Sequence, residues 1–187
     1  MRRLRSLWTK LSQNPKLLSE YNETVKTKLQ DGIIEIADNK NIQDLVHYLP
    51  HQPVIIPNKT TTKLRVVYDA SAHTSSASLN EALLKRPVLL PDLCGILLRS
   101  RQHKYVLTAD IKKGFLQIEI YPKDRDVTRF LWLKTSNLPP ENNNLIVYRF
   151  ERLSFSVICS PFLLAAVLEK HITQANIENY QHLLSNT

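Results

Sequence analysis

Residues 105–120 read YVLTADIKKGFLQIEI. Tyr105 to Ala109 is almost wholly apolar and runs into the carboxylate of Asp110, which predicts a strand over 105–110. Lys112–Gly114 predicts a turn, and the alternation over Phe115–Ile120 predicts a return segment. A carboxylate at the C-terminal end of a buried strand faces solvent at the edge of the sheet. There it either holds a divalent cation or caps the turn, and both readings are open. Phosphoryl transfer by two metals needs at least two carboxylates converging on ions roughly 3.5–4 Å apart. The chain contains no Asp-Asp pair, and Asp124 and Asp126 lie beyond the return segment.

Downstream, residues 127–133 (VTRFLWL) and 145–150 (LIVYRF) predict two more strands, joined by a loop of turn formers, TSNLPPENNN. Residues 148–161 (YRFERLSFSVICSP) then end a strand, turn, and start a helix with Ser160 at its cap and Pro161 behind it. The loop before a helix start favours phosphate, and Arg149 and Arg152 add positive charge there. The alternative is an ordinary strand–turn–helix junction. The helix is apolar to about His171, and a polar helix or frayed end follows from Asn176.

Upstream, residues 48–62 (YLPHQPVIIPNKTTT) predict an extended run, a short strand Val54–Ile56 and a turn. Residues 63–69 (KLRVVYD) alternate as its hairpin partner, with Lys63, Arg65 and Val67 on one face and Leu64, Val66 and Tyr68 on the other. Two cations on one face, beside Lys59, either grip a triphosphate or simply face water. Arg suits the first task because its fork makes two bonds to one phosphate. Short helices are predicted over 76–86 and Leu93–Ser100. At the start, Leu4, Leu7, Trp8 and Leu11 recur at helical spacing in a stretch without acids. Such a start is either a transit peptide or a helix, and its continuation into a second helix without a cleavage-like break favours the helix. Asn14–Pro15 opens that second helix, Leu18, Tyr21, Val25 and Leu29 mark its face, and Gly32 stands where a C-terminal glycine belongs.

The chain has 187 residues, 43% of them hydrophobic and 22% charged, which suits one globular domain or one domain with an incomplete neighbour. Only Gly32, Gly95 and Gly114 are glycines, so neither GxGxxG nor GxxxxGK[ST] can be built. No apolar run approaches the ~18–20 residues of a membrane span. Cys94 and Cys159 lack metal-knuckle spacing and read as buried free thiols of an intracellular protein, cytoplasmic or nuclear. The formal charge is +8, and it is clustered. Residues 1–30 carry seven Lys/Arg against two acids, and residues 85–113 again seven against two. Two such clusters point to a polyanion, nucleic acid being the usual one. The order helices, hairpin, small helices, strands, helix predicts an α+β fold with antiparallel pairing.

In order and spacing, residues 48–71, 105–120 and 148–171 resemble the reverse transcriptase of LTR retrotransposons, the Pao/BEL group in particular. Residues 7–35 (LWTKLSQNPKLLSEYNETVKTKLQDGIIE) resemble the helical lead-in of that group. The resemblance implies the fingers and partial palm of a right-hand polymerase with an incomplete antiparallel palm sheet. The lead-in would span 1–45, the fingers-like region 46–104 and the partial palm 105–187. It implies an RNA-directed DNA polymerase that adds deoxynucleoside triphosphates to an RNA/DNA template-primer with two Mg²⁺ (or Mn²⁺) ions and no membrane. Asp110 matches the first metal-binding Asp, with Ile111 lending its carbonyl. Phe115 matches the aromatic gate that excludes a ribose 2′-hydroxyl. Arg65 matches the fingers Arg on the triphosphate, with Lys63 or Lys59 as companion. The block with Arg149, Arg152, Ser160 and Pro161 matches the part that lines template and primer, with Phe155 near the base.

Two departures stand out. The family reads L-P-F-G where this chain has Leu153-Ser154-Phe155-Ser156, so Ser156 replaces a glycine beside the nucleotide. The family's [Tyr/Phe]-x-Asp-Asp hairpin does not follow the 160–171 helix before Thr187. The resulting expectation is a truncated, inactive fragment; the alternative is a non-catalytic basic nucleic-acid-binding remnant.

Overall fold

A computed structural model describes residues 1–38, 45–56, 64–73, 77–87, 89 and 91–185. Helix α1 (Arg2–Ser12) buries Leu4, Leu7 and Leu11, the stripe expected of an amphipathic helix. Trp8 lies beside them and donates from Nε1 to the Ser136 carbonyl at 3.0 Å. Helix α2 (Pro15–Gln30) is capped by Asn14, whose side chain accepts from the Leu17 amide at 3.2 Å. It buries Leu18, Tyr21 and Val25. Gly32, at φ +62°, turns the chain out of the helix, in a conformation that favours glycine.

The turn at Gly32 delivers β1 (Ile34–Ile36), a strand the sequence reading passed over because three residues carry no visible period. β1 pairs antiparallel with β5 (Leu145–Phe150), and β5 pairs antiparallel with β4 (Phe130–Leu133), giving the order β1-β5-β4. A second sheet joins β2 (His51–Ile55) and β3 (Leu64–Tyr68) as an antiparallel pair. Leu64 and Tyr68 are buried while Arg65 and Val67 face out, as the alternation predicted. The fold is therefore mixed α+β with small antiparallel sheets.

One core unites the three regions of the sequence. Leu11, Tyr21, Ile34, Leu49, Tyr68, Phe130, Trp132 and Phe150 meet in it. At its centre His51 stands 5.9 Å from Tyr21, 5.6 Å from Tyr68, 5.4 Å from Phe130 and 5.7 Å from Trp132, ring centre to ring centre. His51 Nε2 donates to the Leu131 carbonyl at 2.8 Å, which leaves Nδ1 to accept from the Tyr21 hydroxyl at 2.5 Å. Burial pushes the His51 pKa down to about 4, so the ring is neutral there.

Beneath this core, three arginines hold the sheet edge. Arg129 is fully buried and bonds the Asp126 carboxylate at 3.0 Å and the Asp38 carbonyl at 3.2 Å. Arg125 reaches Glu119 at 2.6 Å and Glu35 at 3.2 Å. Arg149 bonds Glu35 at 2.6 Å and Asp126 at 2.8 Å. Burial raises the Asp126 pKa, but hydrogen bonds from Arg129 and Arg149 outweigh it and hold the carboxyl below its ordinary value.

Several expectations are corrected. Residues 105–110 form no strand: all are exposed, with Leu107 at 98% and Tyr105 at 80%. A strand is held by its ladder, and no neighbour is paired with this one among the described residues. The return segment starts instead as a 3-10 turn, Gly114–Gln117. Its end, from Ile118 on, pairs: Ile120 N–H donates to the Glu151 carbonyl at 2.7 Å and Leu153 N–H to the Ile118 carbonyl at 2.9 Å. Residues 122–128 wind as a 3-10 turn before β4, so that strand starts at Phe130 rather than at 127. The expected helix over 76–86 is the single turn α3 (Leu79–Ala82), closed by a Ser78/Glu81 capping box. Helix α4 (Leu93–Ser100) forms as predicted and buries no residue. Cys94 is exposed and Cys159 half-buried, both free, so neither is the buried thiol expected. Helix α5 (Ser160–Ser185) continues past His171, so of the polar helix and the frayed end expected from Asn176, the helix forms as far as Ser185.

Candidate nucleotide and nucleic-acid site

Asp110 is exposed at the end of the segment 105–110, which is neither helix nor strand, with Ile111 47% exposed beside it. The turn that follows places Lys113 at φ +54°, in the left-handed region. That turn carries Phe115 onto α5, where the loop 153–159 brings Phe155 to meet it. The two rings lie edge to face, centroids 5.3 Å apart. Phe115 is half-buried and Phe155 is 83% exposed, so the pair forms an open aromatic surface next to Asp110 in the chain.

The loop under Phe155 is fixed by polar contacts. Ser160, fully buried, donates its hydroxyl to the Ser154 carbonyl at 2.6 Å instead of capping α5, which corrects its assignment as the cap. The Ser154 and Ser156 hydroxyls stand 3.3 Å apart. Asn80 is the clamp that sequence reasoning missed. Its amide donates to the Ser156 carbonyl at 3.1 Å and to the Ser71 hydroxyl at 2.8 Å, and its carbonyl accepts from the Ile158 amide at 2.9 Å. The signal for it is indirect: the Ser78-x-x-Glu81 capping box fixes α3, and α3 aims Asn80. Ser156 keeps an ordinary backbone; among the described residues, Lys113 is the non-glycine with positive φ. The missing glycine therefore carries no backbone strain at that position.

The remaining expected residues separate. Arg65 is exposed on the outer face of β3. Lys59 and Lys63 lie outside the described residues. Arg149 is committed to Glu35 and Asp126, and those bonds raise its pKa against the lowering effect of burial. Ser160 is sealed off from solvent and Pro161 is exposed. Arg152 is half-buried at the edge of a small cavity.

A two-ion centre needs a larger donor set than this. Among the described residues no three His, Cys, Asp or Glu side chains gather where they could hold a metal ion. Asp126 is taken by two arginines. Asp110 and the Ile111 carbonyl alone do not fit a pair of ions. No described helix is long and apolar enough to cross a membrane. No family model and no curated protein matches the chain.

Proposed function

We propose that the chain is the fingers and part of the palm of a reverse-transcriptase-type polymerase, acting by itself as a nucleic-acid-binding module that does not extend primers. The observation that carries this reading is the Phe115–Phe155 contact. The resemblance assigns one ring to the sugar and the other to the base of the same nucleotide, from blocks 40 residues apart. Two rings that line the same nucleotide site must be neighbours, and these two are in direct edge-to-face contact. The hairpin adds Arg65 on an open face, suited to a polyphosphate. The clustered positive charge supplies the long-range attraction for a template-primer of RNA and DNA.

The donor set at Asp110 supports the non-catalytic half of the reading, and no Mg²⁺- or Mn²⁺-dependent step is assigned to this chain. A polymerase-type role places the protein inside the cell, in cytoplasm or nucleus.

Fluorescence anisotropy with a labelled RNA–DNA primer-template tests the binding. Affinity should fall by about an order of magnitude or more between about 50 and about 200 mM salt. Binding that is unchanged across that range would falsify the nucleic-acid reading. In primer extension with deoxynucleotides and Mg²⁺, incorporation should equal that of Asp110→Ala. Incorporation above that control defeats the non-catalytic half.

A further inference from the structure

Arginines 149 and 152 are three residues apart, and the structure treats them in opposite ways. Arg149 is neutralised by Glu35 and Asp126. Arg125 gathers Glu119, Glu35 and, at 3.9 Å, Glu151. Glu119 is the bridge partner of Arg152 in the backbone, yet its carboxylate goes to Arg125. The carboxylates of Glu35, Glu119, Glu151 and Asp126 are thereby claimed. Arg152 is left half-buried, with no hydrogen-bond or ion-pair partner for its guanidinium among the described residues.

Its surroundings form a recess. Arg152 lines a cavity of about 280 Å³ with Asp31, Ile33, Lys113, Leu116 and Gln117. The left-handed turn at Lys113 brings that side chain over the recess, where its Nζ lies 3.5 Å from Asp31. That pair is about half exposed and so weak. The Gln117 amide donates to the Lys112 carbonyl at 3.2 Å, which ties the turn down. A guanidinium that has lost part of its hydration and gained no acceptor favours a ligand with several anionic oxygens. Its planar fork matches the oxygens of a phosphate two at a time.

We infer that this recess is a phosphate subsite, with Arg152 as its principal cation and Lys113, shared with Asp31, as its second. The phosphate is either one of the backbone of a bound nucleic acid or a free phosphate. The first case rests on the function proposed above; the second does not.

Titration of the ¹⁵N-labelled full chain with inorganic phosphate tests the subsite itself. Saturable shifts are expected at the Arg152 Nε–H and the Lys113 and Gln117 amides, and Arg152→Gln should abolish them. No saturable shift, or shifts that survive Arg152→Gln, overturns the subsite. Asp31→Asn releases Lys113 and should tighten phosphate about two- to threefold; unchanged or weaker binding removes Lys113 from the assignment. If the Gln variant fails to fold, Arg152→Lys replaces it. That variant keeps the charge without the fork and should bind phosphate more weakly than wild type; equal binding overturns the role of the fork.

A second arm identifies the source. With a single-stranded oligonucleotide, Arg152→Gln should weaken binding about tenfold, the loss of one charge-assisted contact. It should also lower the slope of log K against log salt by about 0.7. A slope equal to wild type rules out a backbone phosphate. If wild type binds no oligonucleotide at all, the polymerase-type reading falls, while the phosphate titration still decides the recess.

Discussion

Two stretches of comparable apolar character end in opposite states. The β4–β5 hairpin (Phe130–Phe150) buries Phe130, Trp132, Leu133, Tyr148 and Phe150, with Phe130 at 0% exposure and Trp132 at 1%. The stretch from α4 to Asp110 exposes Leu93, Ile96, Leu97, Leu98, Tyr105, Val106 and Leu107. Hydrophobicity sets how much is gained by burial, roughly 25 cal/mol per Å². It does not supply the surface to be buried against. The hairpin has α2, β1 and the β2–β3 sheet around it, whereas helix α4 buries nothing.

The largest effects should therefore fall on the hairpin. Trp132→Ala removes a fully buried ring whose Nε1 also donates to Asn22 at 3.1 Å, and should destabilise by about 3–5 kcal/mol in chemical denaturation. The same truncation at Leu107 should change stability by less than about 0.5 kcal/mol. Similar losses at both positions would erase the contrast between the regions. Next comes Arg129→Ala, which removes one of the two arginines on Asp126 and the donor to the Asp38 carbonyl. About 3 kcal/mol is expected, and a loss below 1 kcal/mol would mean that this pair does not hold the sheet edge.

His51 gives the core a pH dependence. Its pKa lies at about 4 when folded, against 6.5 ordinarily. Between those values the unfolded chain binds more protons than the folded one. Stability is then fully present above about pH 6.5, falls as pH drops, and levels off, for this group, below about pH 4. A loss of about 2–3 kcal/mol across that window is expected in urea melts at stepped pH. His51→Gln should flatten the slope; a variant with the wild-type slope would move the effect elsewhere. The smallest change is expected for Leu97→Glu with Leu107→Glu. Both positions are exposed, so the melting temperature should stay within a few degrees while solubility rises. A large fall in melting temperature would show that these side chains are packed after all.

The same contrast explains what could be read ahead. The stripes of α1 and α2, the Asn14 cap, the turn at Gly32, the alternation of β3 and the limits of β5 all follow from local pattern. Each rests on interactions within a few residues. The strand predicted over 105–110 failed because its pattern promised burial that only a distant partner could provide. β1 was missed for the converse reason: three residues show little period, but β5 lies beside them. At the site, Phe115 and Phe155 were singled out and do meet. Asn80 was not, because a clamp between residues 71, 80, 156 and 158 leaves no trace at any one position.

By itself, then, the sequence determined the amphipathic helices, the polar and apolar faces of β3 and the basic clusters. These depend on side-chain type and on periods of two and 3.6 residues. Tertiary structure decided which arginines are spent on carboxylates and which are left open. Arg149 and Arg152 are alike as letters. The acids around Arg149 come from residues 35 and 126, brought to it by strand pairing, while those near Arg152 are taken by Arg125. Electrostatic fate depends on distance in space, which chain separation does not give, and that is why only the fold distinguishes a structural arginine from a candidate phosphate ligand.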